Sequence, residues 1–253
     1  MTVDTMADER HWTDIAADAL DVPGWDVARY GPVRERLVIL PRSQRSCTLV
    51  QPADLDRLLD LAQDDPEEHL PYWAELWPSG IALADALLLD PHPVHGQRVL
   101  ELGCGLGLTA IAALWAGARL VAIDYSAEAL ALTRWNCSRN TGRVPELLRM
   151  NWRCPSEQLA TVIGSSSVPV ILAADVLYED RDVEPLLRLV EHLLAPGGLL
   201  WLAEPGRRTA TTFIERLGQK GWFDEVETWS GPWPDAGDTA VVVAVHRLRR
   251  PGR

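Results

Sequence analysis

Apolar and polar positions follow one pattern in the opening stretch of this chain and another in the rest. Residues 1–24 are acidic and alanine-rich with no clean period, which leaves helix and disorder equally open. Between Val27 and Leu49 the pattern reads as two or three short strands, Val33–Leu40 and Ser46–Val50, parted by Pro41 and polar residues. Pro52–Ala62 reads as a helix with a proline in its first turn and Leu55, Leu58, Leu59 and Ala62 on one face. Asp64–Glu68 reads as a solvated loop. Behind Pro78-Ser-Gly80, the run Ile81–Leu89 is nearly all apolar, as expected of a helix covered on most sides.

From Arg98 onward, strands and helices alternate. Val99–Glu101, Arg119–Asp124, Glu146–Arg149, Pro169–Asp175 and Gly198–Ala203 are short runs of strand character. Helical patterns lie among them at Leu108–Ala116, from Ala127 to Cys137 or beyond, at Val183–Leu194 and at Thr211–Lys220, with Ser126 placed as an N-cap. Phe223–Trp229 and Thr239–His246 are close enough in sequence to form a terminal antiparallel pair. This order predicts an α/β fold: a doubly wound, mainly parallel sheet covered on both faces. It would occupy residues 71–253, with residues 1–70 as an N-terminal strand-and-helix extension.

Composition narrows the partners. A chain of 253 residues can bury a substantial core, and a net charge of −12 argues against a phosphate backbone as the main partner while leaving a basic protein open. Cys47, Cys104, Cys137 and Cys154 lack the short paired spacing of a zinc site, and no signal peptide or membrane-length apolar run is evident. The expectation is a cytoplasmic protein with cysteines in its core, a monomer or weak homodimer without a metal. His11, His69, His92, His95, His192 and His246 form no ligand pattern and are expected at the surface or termini. His69 is set apart by its closeness to the Pro71–Gly80 segment.

The candidate chemistry centres on Glu101-Leu-Gly-Cys-Gly-Leu-Gly107, directly after a strand and before a helix. Glycines at every second position let a backbone turn tightly and approach a ligand. A dinucleotide site would want Gly-x-Gly-x-x-Gly, but the third glycine position is Leu108. The observed spacing, with an acid at the strand end, suits a cofactor with a positive amino-acid tail and no pyrophosphate, such as S-adenosylmethionine. A turn of purely structural purpose remains open. Glu101 would accept from an ammonium or cap the next turn; Asp124 would take both ribose hydroxyls or stand solvated at a strand end. Trp152 beside Asn151 offers a flat face and an amide to adenine, or simply packs in the core. Asp175 and Tyr178 are spaced to receive and orient an amine, or to cap a helix and face solvent. Cys104 is expected to pack beneath the cofactor.

These residues resemble a class I, seven-stranded S-adenosylmethionine-dependent methyltransferase. More narrowly they resemble methyltransferase family 16, the METTL20/METTL21-like protein lysine methyltransferases. The likeness rests on Pro71–Gly80, Val99–Gly107, Asn151-Trp152 and Ala174-Asp-Val-Leu-Tyr178. It implies that Glu101, Gly103, Gly105 and Gly107 hold the methionine part, with Cys104 in the same loop. Asp124 and its neighbour Tyr125 would hold the ribose, and Asn151 and Trp152 the adenine. The segment around Trp73 and Trp77 would pack over the cofactor, while Ser79 and Gly80 approach its carboxylate. Ala174, Asp175 and Tyr178 would face the methyl acceptor, a protein lysine or a small amine. The long extension departs from the family pattern and leaves the acceptor open.

Overall fold

The computed structural model describes residues 12–15, 20–63, 70–155, 159, 167–233 and 238–252. The expected loop at 64–68, His11 and His69 lie outside them, as does most of the 1–24 segment. The chain opens with strand β1 (Trp12–Ile15), a single helical turn α1 (Val27–Tyr30), strands β2 (Val33–Ile39) and β3 (Ser46–Pro52), and helix α2 (Leu55–Ala62). β1 is a strand in a segment whose sequence gave no period. Pairing supplies what local pattern does not, because β1 runs antiparallel to β2 from Trp12 opposite Val38 to Ile15 opposite Glu35. Pro52, expected inside the first turn of α2, ends β3 instead. The carboxylate of Asp54 accepts from the Arg57 amide at 3.0 Å and starts the helix at Leu55.

The remainder runs α3 (Pro78–Leu89), β4 (Arg98–Leu102), α4 (Leu108–Trp115), β5 (Arg119–Asp124), α5 (Ala127–Thr141) and β6 (Glu146–Arg149). It continues through β7 (Val168–Ala174), α6 (Asp180–Leu193), β8 (Leu194–Glu204), α7 (Arg208–Gln219), β9 (Phe223–Ser230) and β10 (Val242–Arg249). Seven strands form one sheet in the order β6-β5-β4-β7-β8-β10-β9. Neighbours from β6 to β8 are parallel, and β10 is antiparallel to both of its neighbours. The last strand begins at Val242 rather than Thr239.

Period-two alternation assigns each face its core. Val99, Leu199, Trp201 and Ala203 join the buried cluster of α3 and α4, while Leu100, Leu102, Leu200 and Leu202 join that of α6 and α7. Full burial of side chains such as Leu83 and Leu87 on α3 stabilises the fold by roughly 1.5–3 kcal/mol each. The one acid of α3, Asp85, is also fully buried, and it accepts from the Arg42 and Ser43 amides at 2.6 and 2.9 Å. It therefore holds the β2–β3 turn against the sheet domain.

The extension is fastened by asparagines of α5. Asn136 accepts from the Val50 amide at 2.7 Å and donates to the Val50 and Leu106 carbonyls at 2.9 Å each. One turn on, Asn140 closes the same pattern around Thr48. The unpaired edge of β3 is thereby satisfied by side chains, and Val38, Leu40 and Leu49 share the buried cluster of α3 and α4.

Candidate active site

β4 leads to β5 and β6 on one side of the sheet, and the chain then crosses to β7 and β8 on the other. Such a reversal leaves a crevice at the carboxyl ends of the strands. A cavity lies there, open to solvent, walled by the ends of β4, β5 and β7, the glycine loop and the segment before α3.

Glu101 projects from the α3–α4 face of β4, and its side chain lines the cavity. Among the described residues its Oε2 is buried with no hydrogen-bond partner. Burial, and secondarily the Asp124 carboxylate, push this carboxyl up to about 8. The capping role that sequence left open for Glu101 belongs to Asp124. Asp124 Oδ2 accepts from the Gly105 amide at 2.9 Å, and its Oδ1 accepts from the Ser126 amide at 3.0 Å. Asp124 is 2% exposed, so it is not a solvated strand end, and burial raises its carboxyl to about 6 against the pull of those amides. The Tyr125 amide is a third donor, which leaves one of the roughly four acceptor sites of the carboxylate for a further donor. Ser126 also caps α5 as expected, accepting from the Ala129 amide at 3.1 Å.

The glycines divide into different roles. Gly105 lines the cavity at φ 50°, where an added Cβ would sit 3.3 Å from the Trp73 carbonyl oxygen. Gly107, expected to hold cofactor, is not on the cavity wall. It starts α4 at φ 84°, and a Cβ there would press to 3.0 Å on the Thr133 backbone. Close packing of the loop on α5 is what requires the third glycine. Thr133 also donates to the Gly105 carbonyl at 2.9 Å and Asn136 to that of Leu106, so α5 pins the loop from below. Cys104 lines the cavity as a buried thiol, raised well above its ordinary range chiefly by burial. A thiolate nucleophile is disfavoured there. Cys47, Cys104 and Cys137 are buried, the core placement expected of most of the cysteines, and Cys154 is exposed.

Trp73, Trp77 and Gly80 reach the opposite wall. The Trp77 indole donates to the Tyr72 carbonyl at 2.8 Å, and Trp73 meets Trp25 of the extension edge-on at 6.3 Å. Ser79 departs from expectation: it is fully buried in the first turn of α3, off the cavity wall, with no partner for its hydroxyl among the described residues. Gly103, Tyr125 and Trp152 lie on the wall near the end of β5. Trp152 is both a wall and a core residue, because its indole donates to the buried Asp182 carboxylate at 2.8 Å. Asn151 is absent from this wall. It faces a narrow adjoining recess shared with Tyr125, Trp152 and Tyr178, and its Oδ1 accepts from the Arg153 amide.

At the far end stand Ala174, Asp175 and Tyr178. Asp175 holds φ at 53°, one of two non-glycine residues with positive φ among those described. A side chain kept in that region is a strained position typical of functional sites. It caps no helix, since α6 begins at Asp180 behind Glu179. Its Oδ1 accepts from the Arg207 Nε at 2.7 Å, and Oδ2 has no donor among the described residues. The Tyr178 ring meets Tyr72 edge-on at 5.1 Å, and burial together with the Asp182 and Asp124 carboxylates raises its phenol, which keeps its proton at neutral pH. Sequence reading missed Arg207 and Tyr72. Glu204, which holds the Arg207 loop, is one more acid at the carboxyl end of a strand, the rule that found the others.

His246, expected at the surface, is 8% exposed on β10. Burial alone would lower it, but Asp224 at 2.8 Å and Glu204 at 3.6 Å outweigh that and raise it to about 9. Among the described residues no group of His, Cys, Asp and Glu is placed to hold a metal.

Comparison with known proteins adds relatives to this geometry. Residues 100–200 match a family model described as a methyltransferase domain. The chain is 37% identical over 142 residues to the electron transfer flavoprotein beta subunit lysine methyltransferase of Xenopus laevis, covering 54% of this chain and 53% of that protein. It is 31% identical over 170 residues to the protein-lysine methyltransferase METTL21E of Mus musculus, covering 64% and 67%. The chain thus spans about half the length of the first of these relatives. The N-methyltransferase NodS of Bradyrhizobium japonicum, solved with S-adenosyl-l-homocysteine, shares the fold at a TM-score of 0.52 and 21% identity, over 78% of this chain and 96% of that one.

Proposed function

This chain belongs to the class I S-adenosylmethionine-dependent methyltransferases, and from that premise we propose that it methylates an amine nitrogen, the side chain of a lysine in a protein. Within the class we place it with the METTL20/METTL21-like enzymes. The observation that carries the reading is the cavity's two chemical ends: at one, the buried Oε2 of Glu101, and at the other, Oδ2 of Asp175 beside the Tyr178 phenol, both without a hydrogen-bond partner among the described residues.

The residues present fit the cofactor. Glu101 would accept from its ammonium, the glycine loop and Gly80 would border its amino-acid tail, Asp124 would take a ribose hydroxyl, and Trp152 would flank adenine. When bound, S-adenosylmethionine supplies a methyl group already activated on a sulfonium. The protein's task is then alignment, which contributes several kcal/mol when the reacting atoms are held near contact. Asp175 Oδ2 docks the amine, the neutral Tyr178 hydroxyl orients it, and its proton leaves to water before attack.

A protein acceptor is favoured over a sealed-in small amine by the mouth of the cavity. Tyr72, packed on Tyr178, is 38% exposed, and among the described residues the extension reaches Trp73 through Trp25 and contributes nothing to the cavity wall at Asp175. Asp175→Asn tests the reading. Turnover should fall at least about tenfold, one unit of 1.4 kcal/mol, while S-adenosylhomocysteine affinity by calorimetry stays near wild type. Unchanged turnover would remove Asp175 from the proposed role.

A further inference from the structure

Asp175 is held by a cation whose support spans three strands. Arg207 reaches it from the turn between β8 and α7. Glu204, the last residue of β8, fixes that turn by accepting from the Gly206 and Arg207 amides at 2.6 and 2.9 Å. Glu204 lies 3.6 Å from His246 on β10, whose other ring nitrogen lies 2.8 Å from Asp224 on β9.

A carboxylate that docks an amine creates a difficulty. Aqueous lysine titrates near 10.4, and an anion beside it raises that value further, so a bare aspartate would hold the acceptor as an ammonium with no lone pair. We propose that Arg207 is a positioning residue that offsets the charge of Asp175, so that an amine docked on Oδ2 releases its proton. The inference rests on the amine-transfer reading above. By ordinary carboxylate and hydrogen-bond dimensions, an amine on Oδ2 would lie within roughly 6 Å of the guanidinium, inside the range of an opposing cation's effect. The charged and titratable groups facing this point are Asp175 from β7, Glu204 from β8 and Tyr72 from the segment before α3. Tyr178 adds a neutral phenol, with Asp182, Asp124, Glu179 and Arg153 beyond it. The docked ammonium gives one proton to water. The nitrogen lone pair then forms the N–C bond as the C–S bond breaks, and that bond's electron pair stays on sulfur as a neutral thioether.

The test compares Arg207→Gln and Arg207→Lys with wild type, using tritiated S-adenosylmethionine and an undialysed cell lysate as acceptor source. Initial rates are followed from about pH 6 to about pH 10 on whichever fraction the wild type labels. Neutral amine is the reactive form, so rate rises with pH through the docked amine's titration. Removing the cation should move that limb to higher pH by about 1–3 units, with kcat near neutrality reduced about tenfold or more and KM no higher. Arg207→Lys, which keeps the charge, should leave the limb in place. Unfolding midpoints and S-adenosylhomocysteine affinity near wild type certify the fold of each variant. A glutamine variant slower by one factor at every pH overturns the inference while leaving the reading intact, and so does a lysine variant displaced like the glutamine one. A wild-type protein that labels no amine removes the reading, and the inference with it.

Discussion

Glu101→Gln should make the cofactor-free protein more stable and its cofactor binding weaker, a pairing that a merely structural carboxylate would not produce. In the folded protein the Glu101 carboxyl is raised from 4.5 to about 8, first by burial and then by Asp124. A raised carboxyl contributes stability that is fully present below about 4.5 and lost as pH rises through about 8. Near pH 7.5 the group is mostly protonated in the fold but ionised in the unfolded chain, and holding that proton costs the cofactor-free fold on the order of 4 kcal/mol by linkage. Glutamine removes that cost, though its own buried amide claims part of the gain. A net benefit of 1–2 kcal/mol would raise Tm by roughly 2–8 °C near pH 7.5 and leave it little changed near pH 5. Binding should change in the opposite sense. Loss of a charge-assisted hydrogen bond costs about 2–3 kcal/mol, or roughly 30- to 150-fold in Kd. Calorimetry with S-adenosylhomocysteine reads the loss. The same titration with 5′-methylthioadenosine, which lacks the amino-acid tail, should give equal affinities for wild type and variant. Equal weakening for both ligands would refute the ammonium contact, because the damage would then be to the loop as a whole.

Two further perturbations follow from the same side-chain geometry. Asn136→Ala strips partners from the Val50 backbone and the Leu106 carbonyl together, so urea unfolding should show a loss of about 2–4 kcal/mol and calorimetry a weaker cofactor site. A stability loss without any change in cofactor affinity would uncouple the extension from the glycine loop. His246 is raised from 6.5 to about 9, so its contribution is fully present below 6.5 and lost as pH rises through about 9. Between pH 7 and pH 10 the wild type should lose on the order of 2 kcal/mol that His246→Gln does not lose, read from urea midpoints; parallel curves would contradict the assignment.

The sheet was legible because its signals are local. Period-two apolar runs ending in Glu101, Asp124 and Asp175 located strand ends, and the spacing from Gly103 to Gly107 distinguished the loop from a dinucleotide turn. What escaped was decided by partners distant in sequence. β1 exists through its pairing with β2, and Asn136 reads as an ordinary polar helix residue until Val50 and Leu106 meet it. His246 was misplaced because two carboxylates, on β8 and β9, make its burial tolerable. Gly107 and Ser79 were assigned to the ligand by the family resemblance. Space behind the loop fixes the first, against Thr133, and the fully buried first turn of α3 takes in the second. Arg207 lies 32 residues beyond Asp175, and no short motif joins them.

The central claim is that the nitrogen docked at Asp175 is a lysine amine. Wild-type protein incubated with tritiated S-adenosylmethionine and undialysed lysate, followed by acid hydrolysis of the labelled protein and separation of its amino acids, tests this most directly. The account predicts tritium in methylated lysine, sharply reduced with Asp175→Asn. Tritium in methylated arginine, or only in the small-molecule fraction, would contradict it.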